Sequence, residues 1–321
     1  MPNYFQAPPL PSAFIWRRAH SLTGLWLVLF LMEHLLTNSQ AALFLGEDGR
    51  GFVNAVNNLR DLPYIQVIEI VLLGIPLLIH GVWGIKYLFT SLPNISKTDG
   101  SKPSLPQYPL NHAYTWQRIT SWILLFGIIA HVIHMRFLQY PESVQIESHQ
   151  EYFVKVQKDS GLYTLSQRLG FTLYDLNEIK KLEDSLIEKQ NIQRQIDLGT
   201  PEILIKQQQL DQKKAYVNSL KKFSLNQDEL IVAAPSFGLA ELMMVRDTFK
   251  SPLMILLYTG LVLAASFHAF NGLWTGMISW GITLTYRSQQ IMRSMAVGLM
   301  ILVTFLGLSA IWGTYWVNLT Y

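Results

Sequence analysis

The sequence predicts an all-α integral membrane protein: a bundle of five transmembrane helices with an extramembrane helical hairpin inserted between helices three and four. Three observations predict it. Five stretches, near residues 20–42, 64–90, 117–138, 252–284 and 292–317, are apolar over about 20 residues or more, enough for a helix to cross about 30 Å of hydrocarbon. Charge is crowded between Arg136 and Lys250 and nearly absent from the stretches on either side. Within that charged segment, Leu and Ile recur at helical spacing among Gln, Lys and Glu. The chain therefore divides into residues 1–138 with helices one to three, a polar insert at 139–232, and residues 233–321 with an interfacial helix and helices four and five.

At the amino terminus, Arg17-Arg18 precedes an apolar run as in a signal peptide. The run from Ser21 to Leu36 is long, reaches Glu33-His34 and has no Ala-x-Ala exit, so it reads as a retained first span. The arginine pair reads as an inner-face anchor rather than a twin-arginine export signal. Pro76 falls inside the second span and predicts a kink. Lys86, Lys97, Lys102 and Arg118 bracket the link between spans two and three, and Arg287 and Arg293 bracket that between four and five. With Arg17 and Arg18 they place the amino terminus inside and the carboxyl terminus outside. The first loop, with Glu47, Asp48, Arg50, Arg60 and Asp61 in balance, lies outside with the insert.

In the insert, residues 175–198 and 201–223 read as two amphipathic helices, broken at Gly199-Thr200-Pro201 by a glycine stop, a threonine cap and a first-turn proline. The apolar stripe of Leu176, Ile179, Leu182 and Leu186 fits one of Ile203, Leu210, Val217 and Leu220, so the pair should fold back on itself. A partner docking on the same stripe is the other reading. Phe237–Phe249 is expected to lie along the outer interface before Ser251-Pro252 opens span four.

Composition narrows function. The net charge is +3 in 321 residues, too small and scattered to point to nucleic acid. There is no cysteine, which excludes protein-held iron–sulfur clusters, covalent c-type haem and disulfides in this chain. If the protein moves electrons, its clusters and flavin sit on a partner.

Four of the five spans carry a histidine at depth: His34, His80, His131 and His268. A neutral imidazole offers one nitrogen to iron while the other donates a hydrogen bond, so a histidine in an apolar span is a natural haem ligand. At 1.5 Å per helical residue, His34 lies about 24 Å beyond Arg18 and His131 about 20 Å beyond Arg118, both toward the outer side. His80 is about 9 Å from Lys86 and His268 about 27 Å in from Lys250, both toward the inner side. Depth pairs His34 with His131 and His80 with His268: two b haems, each held from both faces, suited to electron transfer rather than oxygen binding. The competing explanation is that each histidine hydrogen-bonds a neighbouring helix.

His134 competes with His131. His20, at the inner end, suits a haem propionate or the interface, while His112 and His149 fall in loops. Gly74, Gly81 and Gly84 suit either a flat macrocycle or close helix packing. Arg17, Arg18 and Arg287 suit inner-haem propionates or membrane anchoring. Glu69 lies about 16 Å outward of His80, at the depth of the outer pair, where an ionisable group points to proton transfer with a quinone. Glu33 is the second candidate.

The motifs WRRAHSLTG and EHLLTN on span one, LPYIQVIEI and PLLIHGVWGI on span two, WQRIT and AHVIH on span three, and SPLM, FHAFNGLWTGMISWGIT and RSQ around span four resemble one family in order and spacing. It is the di-haem cytochrome b membrane-anchor subunit, cytochrome b558 type, of succinate dehydrogenase and fumarate reductase. The resemblance covers nearly all of the chain outside the insert. It implies axial ligation by His34, His80, His131 and His268, with His34–His131 as the outer and His80–His268 as the inner pair. It implies flavoprotein and iron–sulfur partner subunits, electrons passing through two haem b groups to a quinone, typically menaquinone, and a place in the bacterial cytoplasmic membrane. The insert of roughly 90 residues and His134 are outside the family pattern. Other readings are a cytochrome b subunit of a hydrogenase or formate dehydrogenase, against which the five spans and FNGLW argue, and a haem-free anchor or transporter.

Overall fold

The structure is a computed structural model and describes residues 10–43, 47–90, 107–146, 149–193 and 201–320. Lys97, Lys102 and the Gly199-Thr200 break lie outside the described residues. In chain order the elements are α1 (Ser12–Ser39), α2 (Arg50–Arg60), α3 (Ile65–Glu69), α4 (Ile75–Thr90) and α5 (Pro109–Val132), then β1 (Glu142–Ile146), β2 (His149–Gln157), α6 (Gly161–Leu169), β3 (Thr172–Tyr174), α7 (Leu176–Gln193), α8 (Pro201–Lys221) and β4 (Glu229–Ala234). They finish with α9 (Phe237–Thr248), α10 (Pro252–Ser279), α11 (Tyr286–Leu308) and α12 (Thr314–Thr320). Single π-helical turns at Ile70–Gly74, Ile133–Leu138 and Ser309–Gly313 join α3 to α4, extend α5 and join α11 to α12.

Five helical stretches are long and apolar enough to cross a bilayer: Ser12–Ser39, Ile65–Thr90, Leu110–Leu138, Pro252–Ser279 and Tyr286–Leu319. The first begins at Ser12, earlier than hydropathy marks it, because Arg17 and Arg18 end the apolar stretch without ending the helix. The chain forms two compact units, one of residues 1–36, 63–130 and 257–308, the other of 37–62, 131–256 and 309–321.

In the first unit, the expected kink at Pro76 takes a specific form. Proline has no N–H, and its ring crowds the carbonyl four residues back, which is that of Leu72. The helix widens to a π turn over Ile70–Gly74, and the indole Nε1 of Trp26 on α1 donates to the Leu72 carbonyl at 2.5 Å. In lipid no water can serve that carbonyl, so the tryptophan satisfies it. Span four stops at Gly281, whose φ of 74° is a conformation that glycine adopts at little cost. Gly281 N–H donates to the Ile278 carbonyl at 2.9 Å and Ile282 N–H to that of Met277 at 3.0 Å, the Schellman closure of a helix end. Thr285 and Ser288 then cap α11 reciprocally, each backbone N–H donating to the other's hydroxyl at 3.1 and 3.2 Å.

The second unit corrects the all-α expectation. Its centre is a four-stranded antiparallel sheet of order β1-β2-β4-β3, with Val154 opposite Val232 and Leu173 opposite Val232 on the other side. The strands are short and β4 (ELIVAA) is a continuous apolar run, which periodicity alone does not separate from helix. The hairpin of α7 and α8 is present and packs on this sheet. Ile179 and Leu220 join Val144, Phe153, Ile231 and Ala233 in one core, while Leu186, Leu210 and Val217 close on each other farther along. Leu176, expected in the stripe, is exposed. The hairpin starts from a box in which Asp175 N–H donates to Glu178 Oε2 at 2.9 Å and Glu178 N–H to Asp175 Oδ1 at 2.8 Å. Tyr216 Oη sits 3.1 Å from both Glu151 Oε2 and Tyr174 Oη, and burial pushes both phenols above the usual tyrosine value.

The expected interfacial helix is also corrected. α9 is buried on nearly every side, packed against β2, β4, α2 and α12. Apart from Glu241, Arg246 and Asp247 its sequence is apolar on every side rather than amphipathic, which is the pattern of a core helix. Gly238 holds the closest approach, its N–H donating to Asn57 Oδ1 at 2.8 Å.

Candidate functional site

The first unit brings three histidines together. His80 on α4 and His268 on α10 have ring centroids 6.2 Å apart with planes at 84°. His20 on α1 stacks on His80 at 4.1 Å and 10°. A nitrogen-to-metal bond of about 2 Å on each side, plus about 1 Å from nitrogen to ring centre, separates two axial imidazoles by about 6 Å. The His80–His268 spacing meets that requirement; the His20–His80 stack is too close for an ion between its rings.

Hydrogen bonds fix the tautomers. His80 Nδ1 lies 3.0 Å from the His20 carbonyl, which only accepts, so Nδ1 carries the proton. His20 Nδ1 reciprocates to the His80 carbonyl at 3.2 Å. His268 Nδ1 lies 3.4 Å from both Thr120 Oγ1 and Ser121 Oγ on α5. Those hydroxyls spend their own protons on α5 carbonyls, Thr120 on Trp116 at 2.8 Å and Ser121 on Gln117 at 2.7 Å, so they accept from His268. In both His80 and His268 the Nε2 lone pair is the one left for a metal, with a backbone or hydroxyl oxygen orienting the ring from behind.

The residues around them are placed to hold this arrangement. A Cβ on Gly24 would stand 2.7 Å from His80 Cε1, so only glycine there lets the ring approach α1. A Cβ on Gly81 would meet nothing within 4 Å, which leaves an open face beside His80. Gln117 Nε2 donates to the His268 carbonyl at 3.0 Å, Asn271 Nδ2 to Gln117 Oε1 at 2.8 Å and Trp274 Nε1 to Asn271 Oδ1 at 3.0 Å. This polar seam joins span three to span four where lipid offers no competing partner. The residues of this seam and of the His80 contact fall in WQRIT, FNGLW and the glycine of WRRAHSLTG, motifs to which the sequence alone assigns no separate role. Their signal was polar or minimal residues at helical spacing in apolar spans.

The other candidates fall as follows. Arg18 donates from Nη1 to the Ser279 carbonyl at the end of α10 and lies over the Trp280 ring at 4.9 Å, so it caps that helix; Arg17 is exposed. Glu69 closes α3 directly before the π turn and is exposed. Glu33 is exposed on α1, and His34, partly buried, follows it. His131 belongs to the second unit, at the end of α5, and His134 to the π turn after it. Among the described residues no three His, Asp or Glu gather to hold a bare metal ion. A haem iron, with four ligands from its macrocycle, requires two, and the His80–His268 pair with both Nδ1 atoms engaged fits it.

No protein-family model and no solved structure matches the chain. The chain is 23% identical over 299 residues, 93% of its own length and 95% of the relative's, to the succinate dehydrogenase cytochrome b558 subunit of Bacillus subtilis, the kind of protein that its motifs resemble.

Proposed function

We propose that this chain is the membrane-anchor cytochrome b subunit of a succinate:quinone oxidoreductase, binding two haem b groups and a quinone, with menaquinone the expected quinone. The observation that carries the reading is the His80–His268 pair, 6.2 Å apart, each with Nδ1 bound from behind. A haem held there by His80 and His268 would supply one-electron carriage. The chain's own part is to orient the imidazoles and exclude water. The His20 carbonyl, Thr120 and Ser121 set the tautomers, and Gly24 sets how far His80 reaches.

His34 and His131 are the proposed ligands of an outer haem on the strength of their depth along their helices, with His134 the competitor. Glu69 is the proposed proton group for the quinone; a carboxylate beside a π turn in an apolar span is costly and suits a functional role. Glu33 is the second. Arg17 is the proposed propionate partner at the inner face; Arg18 shares the proposal from its seat at the end of α10. The absence of cysteine supports flavin and iron–sulfur clusters on partner subunits, with no dicarboxylate chemistry on this chain. A bacterial cytoplasmic membrane with the amino terminus inside completes the reading.

The test is a dithionite-reduced minus oxidised spectrum, with haem stoichiometry, on wild type and on His268→Ala, His131→Ala and His134→Ala. Two low-spin b haems per chain are expected, His268→Ala and His131→Ala each removing one. Absence of haem from the wild type would overturn the reading, and a loss with His134→Ala in place of His131→Ala would reassign the outer ligand.

A further inference from the structure

The second unit contains an arginine that its own fold does not satisfy. Arg246 on α9 is 8% exposed, and among the described residues its guanidinium takes part in no hydrogen bond or ion pair; its Nε is wholly enclosed. Every other charge around it is matched. Arg168 holds Asp48 through Nε at 2.7 Å and Nη2 at 3.1 Å. Lys250 Nζ uses all three of its donors, on Asp159 at 2.6 Å, Asp247 at 3.2 Å and the Gln157 carbonyl at 2.6 Å. Burial lowers the Arg246 pKa, opposed by Asp48 and Asp159, so the protein bears a real cost to hold this charge.

Arg246 lines a small, partly open cavity of about 20 Å³ that also takes in Arg168, Lys250, the carboxylates Asp159 and Asp247, Gly161 at the start of α6 and Asn318 on α12. Asn318 is held in place there, its Nδ2 donating to the Arg246 carbonyl at 2.7 Å. The cavity sits at two span ends. Lys250 comes just before Pro252, where the fourth apolar span opens, and Asn318 lies in the last turn of the fifth. That is the level at which an apolar span meets water and lipid phosphates lie.

We propose that this cavity is a binding site for a phosphate group, with Arg246 as its principal contact. A guanidinium presents its donors in a flat fork that matches two oxygens of a phosphate. Asp48, Asp159 and Asp247 balance the charges of Arg168, Lys250 and Arg246 but direct their hydrogen bonds to Arg168, Lys250 and the Gln157 N–H, so the Arg246 fork is left open to an acceptor in the cavity. The phosphate comes either from a phospholipid headgroup at the span ends or from solution.

The experiment uses the full chain in neutral detergent. In one arm, inorganic phosphate is titrated into delipidated protein against sodium chloride at matched ionic strength, and thermal unfolding is followed. A saturable rise in melting temperature of about 3 °C or more is expected once phosphate reaches about 100 times its Kd. In the other arm, native mass spectrometry of gently purified protein counts retained phospholipid. Retained lipid that blocks the phosphate response identifies the headgroup as the source; a phosphate response without retained lipid identifies free phosphate. Arg246→Gln abolishes either signal. Arg246→Lys, which keeps the charge and loses the fork, weakens it at least tenfold, and Val317→Phe abolishes it by filling the cavity with Arg246 intact. Phosphate indifference and no bound lipid in the wild type, or signals unchanged in all three variants, would overturn the proposal and leave Arg246 solvated by buried water.

Discussion

The two compact units bury their apolar residues by opposite rules. In the second, Phe153, Leu220, Ile231 and Val232 are fully enclosed, as in any core formed in water. In the first, Phe126 is 66% exposed and Leu78 65%, on spans that keep none of their most apolar stretch inside the protein. Such an apolar surface is untenable in water and costs nothing in hydrocarbon. The specificity of the two units therefore comes from different sources, jigsaw packing in one and a few polar seams and glycine contacts in the other.

Truncation breaks the comparison most sharply. Phe153 packs against Tyr216 and Phe223 with nothing of it exposed. Phe153→Ala should cost the second unit about 3–5 kcal/mol, read as faster amide exchange in β2 and β4. Phe126→Ala, an equal truncation on a lipid-facing position, should leave exchange in the spans unchanged. Equal effects at the two positions would show that the span surface is packed by protein.

A smaller effect is expected where the bundle does depend on contact. Gly24→Ala puts a methyl group into the His80 ring, and overpacking of this kind costs about 1–3 kcal/mol. If the proposed haem is held by His80, the expected readout is a shift of its low-spin electron paramagnetic resonance signal. Trp26→Phe keeps an aromatic side chain, though a smaller one, and removes the donor to the Leu72 carbonyl, whose loss costs about 0.6–1.7 kcal/mol. It should be measurable as faster exchange confined to Ile70–Gly74 and the turn after it.

The same contrast explains what was legible in the sequence. The spans, their order and the histidine-bearing helices were read from hydropathy, because the bilayer imposes one length and one polarity on every spanning helix. Counting depth along helices put His80 and His268 at one level, but neither their facing each other nor the stacking of His20 on His80 was legible, since depth says nothing about which helix faces which. The sheet was missed because β1, β2 and β3 lie in a stretch dominated by its helical neighbours, and β4 with α9 reads as continuous apolar sequence. Pairing between residues as distant as Val154 and Val232 leaves no local mark. Arg246 was invisible for the same reason: a lone arginine after LMMV gives no sign of its burial until the sheet and α12 enclose it.

The gentlest separation of the two units is by acid. Glu229 opens β4, where the Asn226 backbone N–H donates to its Oε2 at 2.8 Å and Lys155 Nζ lies 3.1 Å from Oε1. The Asn226 hydrogen bond, ahead of the lysine, holds this carboxyl below its ordinary value of 4.5. A lowered folded-state pKa contributes stability that is present above the unfolded value and lost as pH falls through the folded one. The second unit should therefore loosen progressively below pH 4.5, and Glu229→Gln should flatten that part of the profile while costing no more than about 1 kcal/mol at neutral pH. Far-ultraviolet circular dichroism dominated by the spans should hardly change over the same range, whereas protease cleavage near β4 should rise. If Glu229→Gln leaves the acid profile as steep as wild type, the acid sensitivity of the second unit does not come from Glu229.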